Sequence, residues 1–131
     1  MVEELLRYEP SVHFLPNRTT VADIEIGGAT IQKGHPVVLV LAAGNRDPGC
    51  VPHADRFDPD RADNVHLAFG GGIHYCVGAP LARLEAQLAL SQLARRLEEP
   101  RLIADPPPYR LSPVLRGPIH LPVAYRRVHP A

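Results

Sequence analysis

Apolar side chains follow a helical spacing at two places in the chain. Residues 2–8 place adjacent leucines among charged neighbours before Pro10, which predicts a helix too short to be stable without docking on the rest of the chain. Residues 80–99 carry leucines at intervals of three and four, which predicts the one long helix. Pro80 suits its first turn, where a missing N–H costs no hydrogen bond, and Pro100 ends it.

The segments between these helices have the patterns of strands and turns. Residues 24–26 alternate apolar and acidic side chains, and residues 30–31 follow a glycine pair, which predicts a tight hairpin. The run 37–41 is apolar throughout, which is typical of a strand buried on both faces. Residues 50–75 show no sustained period and predict a long loop, a kind of segment that is usually functional.

The last part of the chain predicts a second hairpin, over residues 111–125, that turns near Arg116-Gly117. With 15 prolines and 10 glycines among 131 residues, the chain is divided into short elements. We therefore expect an α+β chain, and its length allows one domain.

Composition and charge exclude several classes of protein. The chain has 14 basic and 14 acidic residues, and this balance argues against a nucleic-acid partner or a polybasic membrane binder. No apolar stretch reaches the length of a membrane span, and the acidic start lacks the pattern of a secretory signal. Two cysteines make no disulfide framework, so we expect a cytoplasmic protein.

Residues 69–78 read Phe-Gly-Gly-Gly-Ile-His-Tyr-Cys-Val-Gly and have the chemistry of a binding loop. Consecutive glycines let a backbone lie flat against a large planar group. Cys76 comes just before the long helix, whose free N–H groups and dipole favour a thiolate. A thiolate beside a flat surface is what a haem iron needs as an axial ligand.

Two other interpretations of this cysteine stay open on chemistry alone. A single cysteine before a helix is most often a small buried apolar side chain. A zinc site is conceivable from four side chains, although their spacing is not that of a zinc finger: Cys50, His53, His74 and Cys76. The pattern of the surrounding loop favours haem over both.

This loop resembles the haem-binding loop of the cytochromes P-450, whose pattern is Phe-Gly-x-Gly-x-His/Arg-x-Cys-x-Gly. All six fixed positions are matched, by Phe69, Gly70, Gly72, His74, Cys76 and Gly78. The resemblance implies haem b with Cys76 as the thiolate ligand, a haem-binding loop over residues 66–78 and the following helix at 80–99. It also implies that residues 1–131 are a single partial domain, the C-terminal third of a mainly helical fold.

Other positions resemble residues with known roles in that family. Glu4 and Arg7 match a Glu-x-x-Arg motif, and Arg56 lies where the family places the arginine that completes a buried trio. Three positions resemble residues that bind the haem propionates, for which charge-assisted donors are suitable: Arg18, His66 and His74.

Two stretches resemble places where family members contact substrate. They contain Val12, His13, Phe14, Val114 and Leu115. Apolar residues suit a pocket for an apolar substrate, although ordinary core packing remains the alternative. Arg83, Arg95 and Arg96 are candidates for the surface on which an acidic ferredoxin docks, with the solvated helix face as the alternative for the last two.

The resemblance implies a monooxygenase that inserts one oxygen atom of O₂ into a small organic substrate. Its electrons come from NAD(P)H through a ferredoxin-type donor and a reductase. The family's proton-delivering central helix has no counterpart in these residues, so we expect no activity from this chain alone, no catalytic residue beyond the haem ligand, and a separate chain as one source of the missing part. The alternatives are a truncated, non-catalytic remnant that binds haem weakly or not at all, and a metal-binding or interaction module without haem.

Overall fold

The computed structural model describes residues 1–130, in which three α-helices and one 3₁₀ turn lie among short strands. The helices are α1 (Val2–Tyr8), α2 (Leu41–Gly44) and α3 (Ala79–Arg96), and the 3₁₀ turn is Gly72–His74. Helix α1 has the predicted bounds. Helix α3 ends three residues before the predicted end at residue 99, because the next residues leave the helix to form a strand.

Eight strands form four two-stranded antiparallel sheets. The pairs are β1 (Phe14–Thr19) with β4 (Pro36–Val40), β2 (Ile24–Ile26) with β3 (Ala29–Ile31), β5 (Leu97–Glu98) with β8 (Arg127–Val128), and β6 (Arg101–Leu102) with β7 (Val123–Ala124). The β2–β3 hairpin is the predicted one. Strand β1 has a weak sequence signal, because it contains Pro16 and Asn17, and its pairing shifts register there.

The apolar run 37–41 is a strand, but the prediction that both its faces are buried is wrong. Strand β4 pairs with β1 in a two-stranded sheet, and Val38, Leu39 and Val40 are 53%, 44% and 44% exposed. Leu41 begins α2 instead of ending the strand, and it is buried. The apolar residues of this strand line a cavity that is described below.

The hairpin predicted over residues 111–125 is wrong in its extent. The paired strands lie further from the tip, in β6–β7 and β5–β8. Nearer the tip, Tyr109 bridges Pro118, and the Arg110 N–H donates to the Gly117 carbonyl over 3.0 Å. The turn therefore lies within residues 111–116, and Gly117 belongs to the returning arm.

The buried core of the described residues is small and partly ionic. Its apolar members are Leu41, Val51, Ala54 and Ala79, and its polar members are Glu4, Arg7, Thr20 and Asn45. Glu4, Arg7 and Asn45 join α1 and the end of α2 to the long loop that leads to Cys76, through hydrogen bonds to Asp58, Ala54 and Leu67. Within residues 1–130, no helix has both the length and the apolar character that crossing a membrane requires.

Candidate functional site

The loop that carries Cys76 is closed by its own backbone. The Cys76 N–H donates to the Phe69 carbonyl over 3.0 Å. Gly70 and Gly72 have φ angles of 71° and 63°, in the left-handed region that glycine enters without strain. The path of the loop therefore depends on glycine at these two positions.

Cys76 lies two residues before Gly78, which caps the start of α3. The Ala79 N–H donates to the Cys76 carbonyl over 3.2 Å, so the helix begins directly behind the cysteine. Both Cys50 and Cys76 are free thiols with exposed side chains. The interpretation of Cys76 as a small buried apolar residue is therefore wrong.

A cavity of about 900 Å³ has Cys76 in its lining. The loop contributes Phe69, Gly70, Gly71, His74 and Cys76 to its lining. Strands β1 and β4 and the start of α2 contribute Leu15, Arg18, Val38, Leu39, Val40 and Leu41. The strand lining is apolar except for Arg18, so the cavity joins a thiol, an apolar wall and a guanidinium.

The five residues predicted for substrate contact are partly brought together. The His13 N–H donates to the Val114 carbonyl over 2.9 Å, and Val12 forms a bridge with Leu115. Phe14 opens strand β1, and of the five Val12 lines the cavity. Their contact with a substrate stays a prediction. The sequence pattern did not lead us to predict the β4 residues in the cavity wall as site residues. Their uninterrupted apolar run was the signal that could have identified them.

His66 lies in a different environment from the one predicted. Its side chain is 3% exposed, and its Nε2 is 3.0 Å from Glu3 Oε2. Its Nδ1 accepts the Ala68 N–H over 3.2 Å. Both ring nitrogens therefore have partners within the chain, and propionate binding by His66 stays a prediction.

Glu4 and Arg7 form the buried pair that the Glu-x-x-Arg spacing indicated. Arg7 Nε is 2.8 Å from Glu4 Oε2, and both side chains are fully buried. The third arginine is Arg61, whose Nε is 3.2 Å from the same carboxylate oxygen. The prediction of Arg56 is wrong, since its side chain is exposed and it contributes its backbone carbonyl, 3.2 Å from Arg7 Nη2.

The carboxylate of Glu4 is held in its charged form. Arg7, the Asp58 N–H and Arg61 all donate to it, and Asn64 Nδ2 donates over 3.0 Å. Although burial opposes them, these donors, Arg7 first, lower the pKa of Glu4 to about 2 from 4.5. The same hydrogen bond raises the pKa of Arg7. This cluster ties α1 to the segment that precedes the Cys76 loop.

A second polar cluster ties α1 to the loop and to α3. Glu3 accepts from Arg83 Nε over 2.8 Å and from Arg83 Nη2 over 3.0 Å. Arg83 Nη1 donates to the Tyr75 hydroxyl over 3.0 Å. Arg83 lowers the pKa of Glu3, and Glu3 raises that of Arg83. The prediction for Arg83 concerned partner docking and did not include these internal contacts, of which those with Glu3 join residues 80 positions apart.

The zinc alternative is wrong for the part of the chain that the structure describes. Among residues 1–130, no group of three or more His, Cys, Asp or Glu side chains could hold a metal ion. Cys50 and His53 therefore form no cluster with His74 and Cys76.

The geometry defines a protein with a cysteine loop, at the start of a helix, that borders an apolar cavity. Residues 1–113 match the family model described as Cytochrome P450. The chain is 46% identical over 127 residues to the mycinamicin IV hydroxylase/epoxidase of Micromonospora griseorubida, covering 95% of this chain and 32% of that protein. It is 44% identical over 130 residues to the cytochrome P450 monooxygenase PikC of Streptomyces venezuelae, covering 96% and 31%.

Among solved structures, the cytochrome P450 CYP109Q5 from Chondromyces apiculatus matches with a TM-score of 0.91 and 42% identity, over 99% of this chain and 33% of that one. The chain belongs to the cytochrome P450 family, and its helices and small sheets are part of that fold. It spans about a third of the length of the curated relatives it matches.

Proposed function

We propose that Cys76 is the thiolate ligand of haem b, and that this chain forms the ligand side of a cytochrome P450 monooxygenase. The observation that carries the proposal is the exposed Cys76 thiol beside a cavity of about 900 Å³. Family membership gives the same ligand type. The monooxygenase activity is proposed for a whole protein, since the chain spans about a third of its relatives.

The residues around the cavity suit a haem group. Gly70 and Gly71 present backbone to the cavity, and a methyl group added at Gly71 would meet no atom within 4 Å. The leucines and valines of the strands suit the faces of a macrocycle. Arg18 and His74 border the same cavity and can donate hydrogen bonds to two carboxylates.

When bound, haem with a thiolate ligand supplies the activation of O₂ for insertion of one oxygen atom into an organic substrate. Cys76, which lies just before the start of α3, would provide the thiolate. Arg18 and His74 hold the carboxylates and orient the group. The apolar side chains of β4 keep water from the cavity wall.

The substrate and partners follow from the same placement. Val12 borders the cavity and lies against Leu115, which favours an apolar organic substrate. We propose electrons from NAD(P)H through a ferredoxin-type donor and its reductase. Residues outside this third of the fold, in the same or a separate chain, complete the substrate pocket and deliver protons.

Haem titration of the full chain tests the ligand assignment. The reduced carbonyl complex of the wild-type chain should show the thiolate-type absorption spectrum, and Cys76→Ser should lose it. Cys50→Ser is the matched control, because Cys50 is also a free, exposed thiol, and it should keep the spectrum. An unchanged spectrum in Cys76→Ser would overturn the assignment.

A second candidate is a chain that binds haem without catalysing oxygen insertion. Half-exposed leucines along α3 favour this candidate, because a helix whose apolar face is uncovered packs less firmly against the rest of the fold. They are Leu81, Leu84, Leu88 and Leu93. Substrate turnover by the haem-loaded chain with a ferredoxin and its reductase would exclude this candidate.

A further inference from the structure

One guanidinium contacts both ends of the loop that carries Cys76. Arg83 Nη1 donates to the Tyr75 hydroxyl over 3.0 Å, and Arg83 Cζ lies 4.7 Å from the centre of the Phe69 ring. The Phe69 and Tyr75 rings meet edge to face at 6.3 Å. The loop closes between Phe69 and Cys76, because the Cys76 N–H donates to the Phe69 carbonyl, so Arg83 contacts Phe69 itself and the residue next to Cys76.

Glu3 fixes the orientation of this guanidinium. Both of its oxygens accept from Arg83, over 2.8 and 3.0 Å, and such a two-point contact sets the plane of the guanidinium as well as its position. The two side chains are 38% and 30% exposed, so the contact is shielded in part from water. Glu3 lies on α1, and α1 therefore supports the loop through Arg83.

His66 fixes Glu3 in turn. Because His66 Nδ1 accepts the Ala68 N–H, the ring proton lies on Nε2, which donates to Glu3 Oε2 over 3.0 Å. The His66 ring also lies 6.0 Å from the Phe69 ring. The chain of contacts thus begins and ends at the loop.

We propose that Glu3, His66 and Arg83 are positioning residues that keep the Cys76 loop closed, so that the sulfur borders the cavity. Their meaning for an iron ligand rests on the proposed function. Closure of the loop itself is a property of the haem-free chain and is measured without haem.

Hydrogen exchange of the Cys76 amide in the haem-free chain tests loop closure. Arg83→Gln should speed this exchange about tenfold, because the charge-assisted contacts to Glu3 and the brace on Tyr75 are lost. Arg83→Lys keeps the positive charge but cannot make the two-point contact with Glu3. Its Cys76 amide should exchange at a rate between those of the wild type and Arg83→Gln. If Arg83→Gln does not fold, the comparison of Arg83→Lys with the wild type tests loop closure.

Arg116→Gln is the matched control. Arg116 also pairs with a glutamate, its Nε lying 3.1 Å from Glu9 Oε2, and its Cζ lies 4.2 Å from the Tyr109 ring. It makes the same two kinds of contact away from the loop and should leave Cys76 exchange unchanged. A Cys76 amide that is unprotected in the wild-type chain, or equally protected in all four proteins, would overturn the inference.

The reduced carbonyl spectrum separates positioning from general stability. Arg83→Gln should lower the fraction of bound haem with the thiolate-type spectrum, with Arg83→Lys between it and the wild type. If the same fraction of bound haem shows the thiolate-type spectrum in Arg83→Gln as in the wild type, the positioning role is overturned. If the wild-type complex lacks the thiolate-type spectrum while Arg83→Gln still speeds Cys76 exchange, the proposed function fails and the loop-closing role of Arg83 stands.

Discussion

Glu4 is a fully buried carboxylate whose charge is satisfied by side chains from two parts of the sequence. Arg7 lies one helical turn away, whereas Arg61 and Asn64 lie more than fifty positions away. A buried pair of this kind adds little over apolar packing while intact, but removal of one partner leaves a bare buried charge that costs about 3–5 kcal/mol. The residue therefore joins α1 to the loop through electrostatics more than through apolar area.

Acid should unfold the chain through Glu4. Its pKa is about 2 in the folded chain and about 4.5 when unfolded, so the unfolded state binds more protons between these values. The stability that the charged group contributes is present above about pH 4.5 and is lost as the pH falls toward 2, a loss of roughly 3 kcal/mol. Urea unfolding measured across this range should show the decline.

Two variants test the source of this acid sensitivity. Glu4→Gln should be destabilised at neutral pH and should show a much smaller further loss in acid. Glu9→Gln is the control, because its side chain is 54% exposed and its ion pairs contribute little. An acid loss in Glu4→Gln as large as that of the wild-type chain would show that another group is responsible.

Helix α3 illustrates the difference between forming an element and burying it. Leu81, Leu84, Leu88 and Leu93 have the helical spacing but are 59%, 51%, 58% and 52% exposed. Ala79, at the first turn, is fully buried. The local spacing and the proline at the start predict the helix, and tertiary packing in the described residues covers mainly its beginning.

The same substitution should therefore have different effects in two helices. Leu88→Ala in α3 should change the free energy of unfolding by less than about 1 kcal/mol, because this side chain is 58% exposed. Leu41→Ala in α2 should cost about 2–4 kcal/mol, because this side chain is 6% exposed. Denaturant unfolding measures the change in free energy of unfolding for both variants. Equal decreases would contradict the exposure of Leu88 on α3.

At the scale of the whole molecule, residues 1–130 have few buried apolar side chains and a large cavity that Cys76 lines. A ligand that fills such a cavity binds the folded chain and not the unfolded one, so it shifts the folding equilibrium by mass action. The proposed haem group is therefore expected to be part of what stabilises the fold.

Haem should raise the thermal unfolding midpoint in a concentration-dependent way. At a free haem concentration of about 100 times Kd, the gain in free energy of unfolding is about 2.7 kcal/mol. Melting curves across a haem titration measure it. Cys50→Ser should show the wild-type increase and Cys76→Ser a smaller one. An increase that does not depend on Cys76 would contradict a contribution of the sulfur–iron bond to stability.

Elements that depend on near neighbours in the sequence were predictable. Helix α1, the β2–β3 hairpin and the start of α3 follow from helical spacing, a glycine pair and a proline at the first turn. The Cys76 loop was predictable for the same reason, because its glycines set the backbone path locally. These features need no information about distant segments.

Tertiary structure alone decided which distant groups meet. Arg56 and Arg61 are equivalent as charges, and the path of the loop selects Arg61 for Glu4. His66 faces Glu3 because α1 docks beside it, and residues 97–98 leave the helical pattern because β8 offers backbone partners. The residue types and their local spacing were sufficient to predict a cysteine loop and its helix, whereas side-chain partners more than fifty positions apart depend on how the whole chain folds.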